Sequence, residues 1–197
     1  MGLSFDSLAT LPSMNGSVKG CLGLEDPMYQ KSVTEMLSVG NHIYGMRAIE
    51  PEPRGCLFFN KRMLKEAGVD RESIYDMQKA GTWTWNNFDK LCAKLTRDTN
   101  NDGVTDVYAL TSFSKDYFDA VVASNGAMWV DKDENGKFIN GTTSDAFLEA
   151  LNWGQEIINK YEMPAPEGAA WDYAKSSFIN GEACMQVAQE YYSGSFK

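Results

Sequence analysis

Two groups of residues in this 197-residue chain have types and spacing that could do chemistry. The first is the run Asp98, Asn100, Asp102, Gly103, Val104 and Asp106. Side-chain oxygens fall at positions 1, 3, 5 and 9 of a loop, Gly103 permits a sharp turn at position 6, and the Val104 carbonyl can serve at position 7. That is the front of an EF-hand-type calcium loop, in which hard oxygen ligands converge on a hard cation. Position 12 is Ala109, so the bidentate Glu of such a loop is missing. The alternative is an acidic turn whose side chains bond their own backbone. Asp131, Asp133, Asn135 and Gly136 imitate the same spacing, but Ile139 stands at position 9, and this stretch reads as a hairpin turn.

The second group is aromatic. Aromatics are 12% of the chain, with 5 Trp and 9 Tyr, enough to supply surface as well as core. Phe113, Tyr117, Trp129, Trp171, Tyr191 and Tyr192 sit beside small polar residues at the ends of elements, where a ring can stack on the apolar C–H face of a sugar. Trp85, Phe88, Phe147 and Trp153 are assigned to packing. Glu50 and Glu52 are a poor acid–base pair, because retaining glycosidases need carboxyls ~5 Å apart across a bond, usually from separate elements. The chain has no phosphate-cradling glycine loop, no G-x-S-x-G and no H-E-x-x-H.

Composition narrows the classes further. Residues 1–100 carry 12 basic and 12 acidic side chains and residues 101–197 carry 6 and 15, so the whole net charge of −9 lies in the second half. An acidic half without clustered Lys/Arg argues against nucleic acid and anionic membrane surfaces. No uncharged apolar run approaches the ~18 residues of a membrane helix, and the first twenty residues hold Asp6 with no readable signal peptide. Cys21, Cys56, Cys92 and Cys184 are far apart, with apolar neighbours, and read as buried thiols. The lone His42 has no cysteines at ligand spacing to complete a zinc site.

The elements that must position these residues alternate between helix and strand. Asp26-Pro27 reads as the start of a helix over residues 28–39, stopped by Gly40. Residues 42–49 look extended, and two prolines in EPEPRG impose a stiff crossing. A strand at GCLFFN and a short helix ending at Gly68 follow. Thr84 caps a helix with Trp85, Phe88, Leu91, Cys92 and Leu95 at helical spacing. A strand over 107–110, a helix over 115–124, a hairpin at Asn135-Gly136 with positive φ at both residues, and a long helix over 144–161 come next. A helix over 172–179 and the strand ACMQVA close the pattern, which is α/β with helices around a small mixed sheet.

The stretches HIYGMRAIEPEPRGCLFFNKRMLKEAGVD, GTWTWNNFDKLCAKLTRDTNNDGVTDVYAL and FINGEACM resemble, in order and spacing, signatures of the family 1 extracellular solute-binding proteins, the sugar-capturing subunits of ABC importers. The matching points are Phe59-Asn60-Lys61, Ala67-Gly68, Thr84-Trp85, Asp102 to Asp106, and Phe178, Gly181 and Met185. The resemblance covers about residues 28–195 and implies one lobe of a type II, maltose-binding-protein-like clamp, in which a sugar or oligosaccharide sits in an inter-lobe cleft and hinge closure presents it to the membrane permease. It implies a non-enzymatic, monomeric protein, extracellular and membrane-anchored or periplasmic, with no required cofactor and calcium as an option. Residues 1–48 correspond to a remnant of the first lobe and 49–197 to an incomplete second lobe, so the chain reads as a fragment expected to bind sugar weakly on its own. Carried over by position, Glu52 and Arg54 mark the cleft edge at the first crossing, and Tyr117, Glu190 and Tyr191 mark the places where relatives put stacking aromatics or their neighbours. Trp129 joins this ligand set as an aromatic at a loop end. A carbohydrate-active enzyme and a calcium-dependent interaction module are the alternative readings.

Overall fold

The computed structural model describes residues 26–48 and 55–196. The described residues divide into two compact units: 26–48 with 128–144, and 55–127 with 145–196. The segment 128–144, expected in the second lobe, groups with the N-terminal part.

In the first unit, helix α1 (Lys31–Met36) leads into a hairpin of β1 (Ser38–Val39) and β2 (His42–Ile43). The expected helix over 28–39 is thus much shorter. Asp26 and Pro27 form a turn in which the Tyr29 N–H donates to the Asp26 carbonyl, and the helix begins only after Gln30, whose backbone is extended. Gly40 does not cap a helix. It takes φ +56 in the two-residue hairpin turn. A second hairpin pairs β5 (Val130–Lys132) with β6 (Phe138–Asn140). Its Lys132 ammonium donates to the carbonyls of Glu35 (2.5 Å) and Ser38 (2.8 Å), tying this hairpin to the last turn of α1 and the start of β1. The turn is longer than the two residues expected. Asp133 Oδ1 accepts from the N–H groups of Asn135 and Lys137, and of the expected Asn135-Gly136 pair only Gly136 has positive φ. The 3-10 turn Gly141–Thr143 follows β6. A Cβ on Gly141 would fall 2.0 Å from the Met128 carbonyl oxygen, so only glycine fits there.

The second unit is built on a three-stranded sheet of order β3-β7-β4, formed by β3 (Gly55–Phe59), β4 (Tyr108–Ser112) and β7 (Ala183–Gln189). Central β7 runs antiparallel to β3 and parallel to β4. Its run Ala183 to Ala188 is buried throughout, as a strand covered on both faces requires. Around it stand α2 (Lys61–Glu66), α3 (Ser73–Lys79), α4 (Trp85–Leu95), α5 (Ser114–Ser124), α6 (Asp145–Tyr161) and α7 (Tyr173–Asn180). The α4 start is as expected: Thr84 Oγ1 accepts from the Asn87 N–H, and Phe88, Leu91, Cys92 and Leu95 form the buried stripe. Helix α6 buries Phe147, Ala150, Gly154 and Ile157. Trp85 and Trp153 stack at 4.5 Å and 8°, and the Trp85 indole donates to Ser124 Oγ at 2.8 Å, which bears out their assignment to packing. Helix α3 has no counterpart in the sequence reading, since Ile74 is its one buried residue and gives no period to follow.

Leu95 is fully buried, whereas Leu148 is 48% exposed on α6. Leu95→Ala is expected to cost about 2–5 kcal/mol of unfolding free energy and Leu148→Ala less than about 1 kcal/mol, measured by urea denaturation.

Candidate functional site

The parallel pair β4 and β7 ends at one edge of the second unit's sheet, where ligands of open α/β sheets bind. Phe113 follows β4 directly, and α5 starts at Ser114. The 3-10 segment Glu190–Ser195 follows β7 and places Tyr191 and Tyr192 at the same edge. Rings from three segments meet there. Phe113 lies 6.2 Å from Trp171 and 6.0 Å from Tyr192, with interplanar angles of 30° and 29°. Tyr191 stacks on Tyr192 at 4.7 Å and 25°. Trp171 is 80% and Tyr191 61% exposed, whereas Tyr192 is buried between them and the sheet. The result is a run of nearly parallel rings with two open ends.

Polar groups border the rings. The Gln189 amide donates to Asp116 Oδ1 at 3.1 Å, joining the end of β7 to the first turn of α5. Lys175 sits over the Tyr192 ring at 5.3 Å. Glu190 is exposed. A groove beside this edge is lined by Gly55, Lys115, Asp116, Asp119, Ala120 and Gln189, among others. Burial pushes the Tyr192 hydroxyl up to about 12, aided by its hydrogen bond with Tyr191, so it is neutral at physiological pH.

The residues singled out in the sequence fall in different places. Tyr191 and Glu190 stand at this edge with open surface. Tyr117 is corrected: it is 1% exposed, its hydroxyl donates to the Gly154 carbonyl at 3.2 Å, and burial raises its pKa, so it offers no free ring face. Its place one helical turn into α5 aims it at the core against α6. Trp129 is 46% exposed and belongs to the first unit, where its carbonyl accepts from the Gly141 N–H. Glu50, Glu52, Arg54 and Cys21 lie outside the described residues. Phe113 and Trp171 carried only a general aromatic signal, and Asp116 and Gln189 carried none. What identifies them is position: each lies just after, or packs against, the carboxyl end of a parallel strand.

In the acidic loop every carboxylate is turned onto the loop itself. Asp98 accepts from the N–H groups of Asn101 and Gly103 at 2.7 and 2.8 Å, and Asp102 accepts from Val104 at 2.8 Å. Asn100 Oδ1 accepts from the Asp102 N–H at 2.8 Å. Asp106 accepts from both the backbone and the hydroxyl of Thr99 at 2.7 Å, and these bonds hold its carboxyl below the usual range. Ala109, where a calcium loop would place its Glu, is fully buried in β4. Among the described residues no group of three or more His, Cys, Asp or Glu side chains gathers in a way that could hold a metal ion.

Glu162 follows α6 and accepts from the Ser112 hydroxyl at 2.6 Å. Burial raises its carboxyl above the ordinary value, more than the Ser112 bond lowers it. A carboxyl raised by folding favours the native state while protonated and opposes it once pH climbs past the folded value. Glu162→Gln is therefore expected to be more stable than the parent at neutral pH. The gain shrinks to nothing below about pH 4, where both forms are neutral, as thermal melts across pH would read.

Residues 43–196 match the family model described as bacterial extracellular solute-binding protein. An uncharacterized ABC transporter extracellular-binding protein of Pyrococcus horikoshii is 29% identical over 176 residues, covering 86% of this chain and 36% of that protein. Among solved structures, the sugar-binding protein MalE of Xanthomonas citri superposes with a TM-score of 0.59 at 19% identity, over 96% of this chain and 44% of that one. An ABC substrate-binding protein of Listeria monocytogenes, in complex with cycloalternan, gives 0.54 at 21% identity, over 86% and 40%. The structural likenesses carry the fold, which is the expected type II periplasmic-binding-protein-like α/β arrangement. This chain spans little more than a third of the length of the curated relative. With the family model covering residues 43–196, and with its signatures falling on β3, α2, α4, α7 and β7, the chain belongs to the bacterial extracellular solute-binding protein family.

Proposed function

We propose that this chain is part of the substrate-binding component of an ABC importer and that it contributes one face of a site for a sugar or oligosaccharide. The observation that carries this reading is the ring run Trp171, Phe113, Tyr192 and Tyr191, open at both ends and bordered by Asp116, Gln189, Glu190 and Lys175. A pyranose has apolar C–H faces for the rings and hydroxyls for the carboxylates and amide, so both halves of the arrangement are used. The sugars bound by related proteins support the same class. The Listeria protein holds cycloalternan, and one from Thermotoga lettingae holds alpha-D-tagatose. The partners follow from the family: a sugar ligand, and permease subunits that receive it. We read the role as non-catalytic and monomeric, carried out outside the cytoplasmic membrane. No helix among the described residues is long and apolar enough to cross a membrane. Alone, the chain presents one side of a clamp, and its affinity is expected to be weak.

For the loop over residues 98–106 we infer a self-bonded acidic turn that shapes the entry to β4. Its side chains already satisfy the loop's own N–H groups. Melting temperatures in excess calcium and in excess chelator are expected to coincide. A rise of several degrees with calcium would instead assign the metal to this loop.

The sugar reading is tested by titrating the chain with linear and cyclic gluco-oligosaccharides while following tryptophan emission. A change at millimolar sugar, lost in Trp171→Ala with the far-ultraviolet spectrum intact, is expected, and micromolar affinity would sink the one-sided-clamp reading. Release of chromophore from aryl glycosides would instead favour an enzyme.

A further inference from the structure

We propose that α7 is a cover over the second face of the sheet and that it opens locally as a unit, letting water reach Gln186 and Thr111. Gln186 stands directly opposite Thr111 in β4 and Phe58 in β3, so the three side chains share one face. That face lies beneath α7 and the last 3-10 segment. The Phe58 ring meets Phe196 at 4.8 Å, and Phe196 meets Phe178 of α7 at 4.8 Å. Gln186 and Thr111 are fully buried there, yet Thr111 Oγ1 and both amide atoms of Gln186 have no hydrogen-bond partner. A buried amide or hydroxyl without a partner keeps its whole desolvation penalty, and opening to water removes it. The opposite face, with Leu110, Met185 and Val187, carries no such debt.

The hold on α7 is correspondingly thin. Its buried residues are Ala174, Ser177 and Phe178, of which only Phe178 is large, and Asp172 makes no side-chain cap at its start. Residues 164–171 before it are all exposed and form no regular element. Gly181 after it takes φ +77 and closes the helix, the Gly181 and Glu182 N–H groups donating to the Phe178 and Ser177 carbonyls at 3.2 and 2.9 Å, so α7 ends as a discrete unit. Trp171, on Phe113, ties the exposed leading segment to the end of β4, so opening of α7 has to release that contact while leaving α6 and the sheet pairing in place.

Hydrogen–deuterium exchange of the 197-residue chain, read by mass spectrometry, tests this. Amides of α7 are expected to exchange at least about tenfold faster than those of α6, at a rate insensitive to low urea, as local opening requires. Thr111→Val with Gln186→Met removes the orphaned atoms at similar volume. It is expected to slow α7 by about tenfold while leaving α6 unchanged. Exchange of α7 and α6 together at one urea-dependent rate in the parent would overturn the proposal, as would a variant that leaves α7 unaltered. Should the double variant fail to fold, the parent's comparison of the two helices under urea decides alone.

Discussion

The burial of β7 on both faces is the constraint from which the second unit follows. A strand covered above and below can carry almost no charge, and the run Ala183 to Ala188 carries none. Its neighbours must then pair with both of its edges, and β3 and β4 do so with opposite senses. The parallel partner β4 requires a long crossover, which the chain supplies through α5, α6 and α7. Leu91, Leu95, Phe147 and Ile157 come from two of the helices that this arrangement leaves to cover the sheet, and they form its dry core.

The same topology decides where polar chemistry is affordable. The middle of β7 is closed to water, so the first place where a hydroxyl-rich ligand could be met is beyond its carboxyl end. There the chain changes abruptly from apolar strand to Gln189, Glu190 and two tyrosines. The turn into α5 brings Phe113 and Asp116 to the same edge, and the exposed segment before α7 brings Trp171. Flat apolar surface framed by carboxylates and an amide is thus a product of strand ends meeting. No contiguous motif encodes it.

This explains which parts were legible in the sequence. Elements with their own periodic stripe or capping hydroxyl, such as α4 behind Thr84 and the long α6, stand where their spacing placed them. The family order of short signatures was legible too, because each marks a local turn or strand end. Elements lacking a stripe were not. Helix α3 buries one side chain, and α1 loses its expected last turn to a hairpin that Gly40 makes possible. Tyr117 shows the limit for site residues. Its type fitted a stacking platform, but one helical turn of phase decides whether a ring meets solvent or core, and α5 turns it inward. Trp171 had the opposite fate, because nothing in its neighbours' pattern gives its distance from Phe113.

The buried thiols have a consequence for how the folded chain meets oxidants. Cys184 lies against the end of α4, its Sγ 3.9 Å from the Leu95 carbonyl, and burial pushes its pKa up to about 11. At neutral pH such a thiol is ionised to only about one part in ten thousand, and only the thiolate attacks disulfides or peroxides. Cys92, equally enclosed, is shifted in the same direction by the same cause. Once folded, these two sulfurs are chemically silent in an oxidising medium. The close packing that builds the core therefore also shields it from mispaired disulfides.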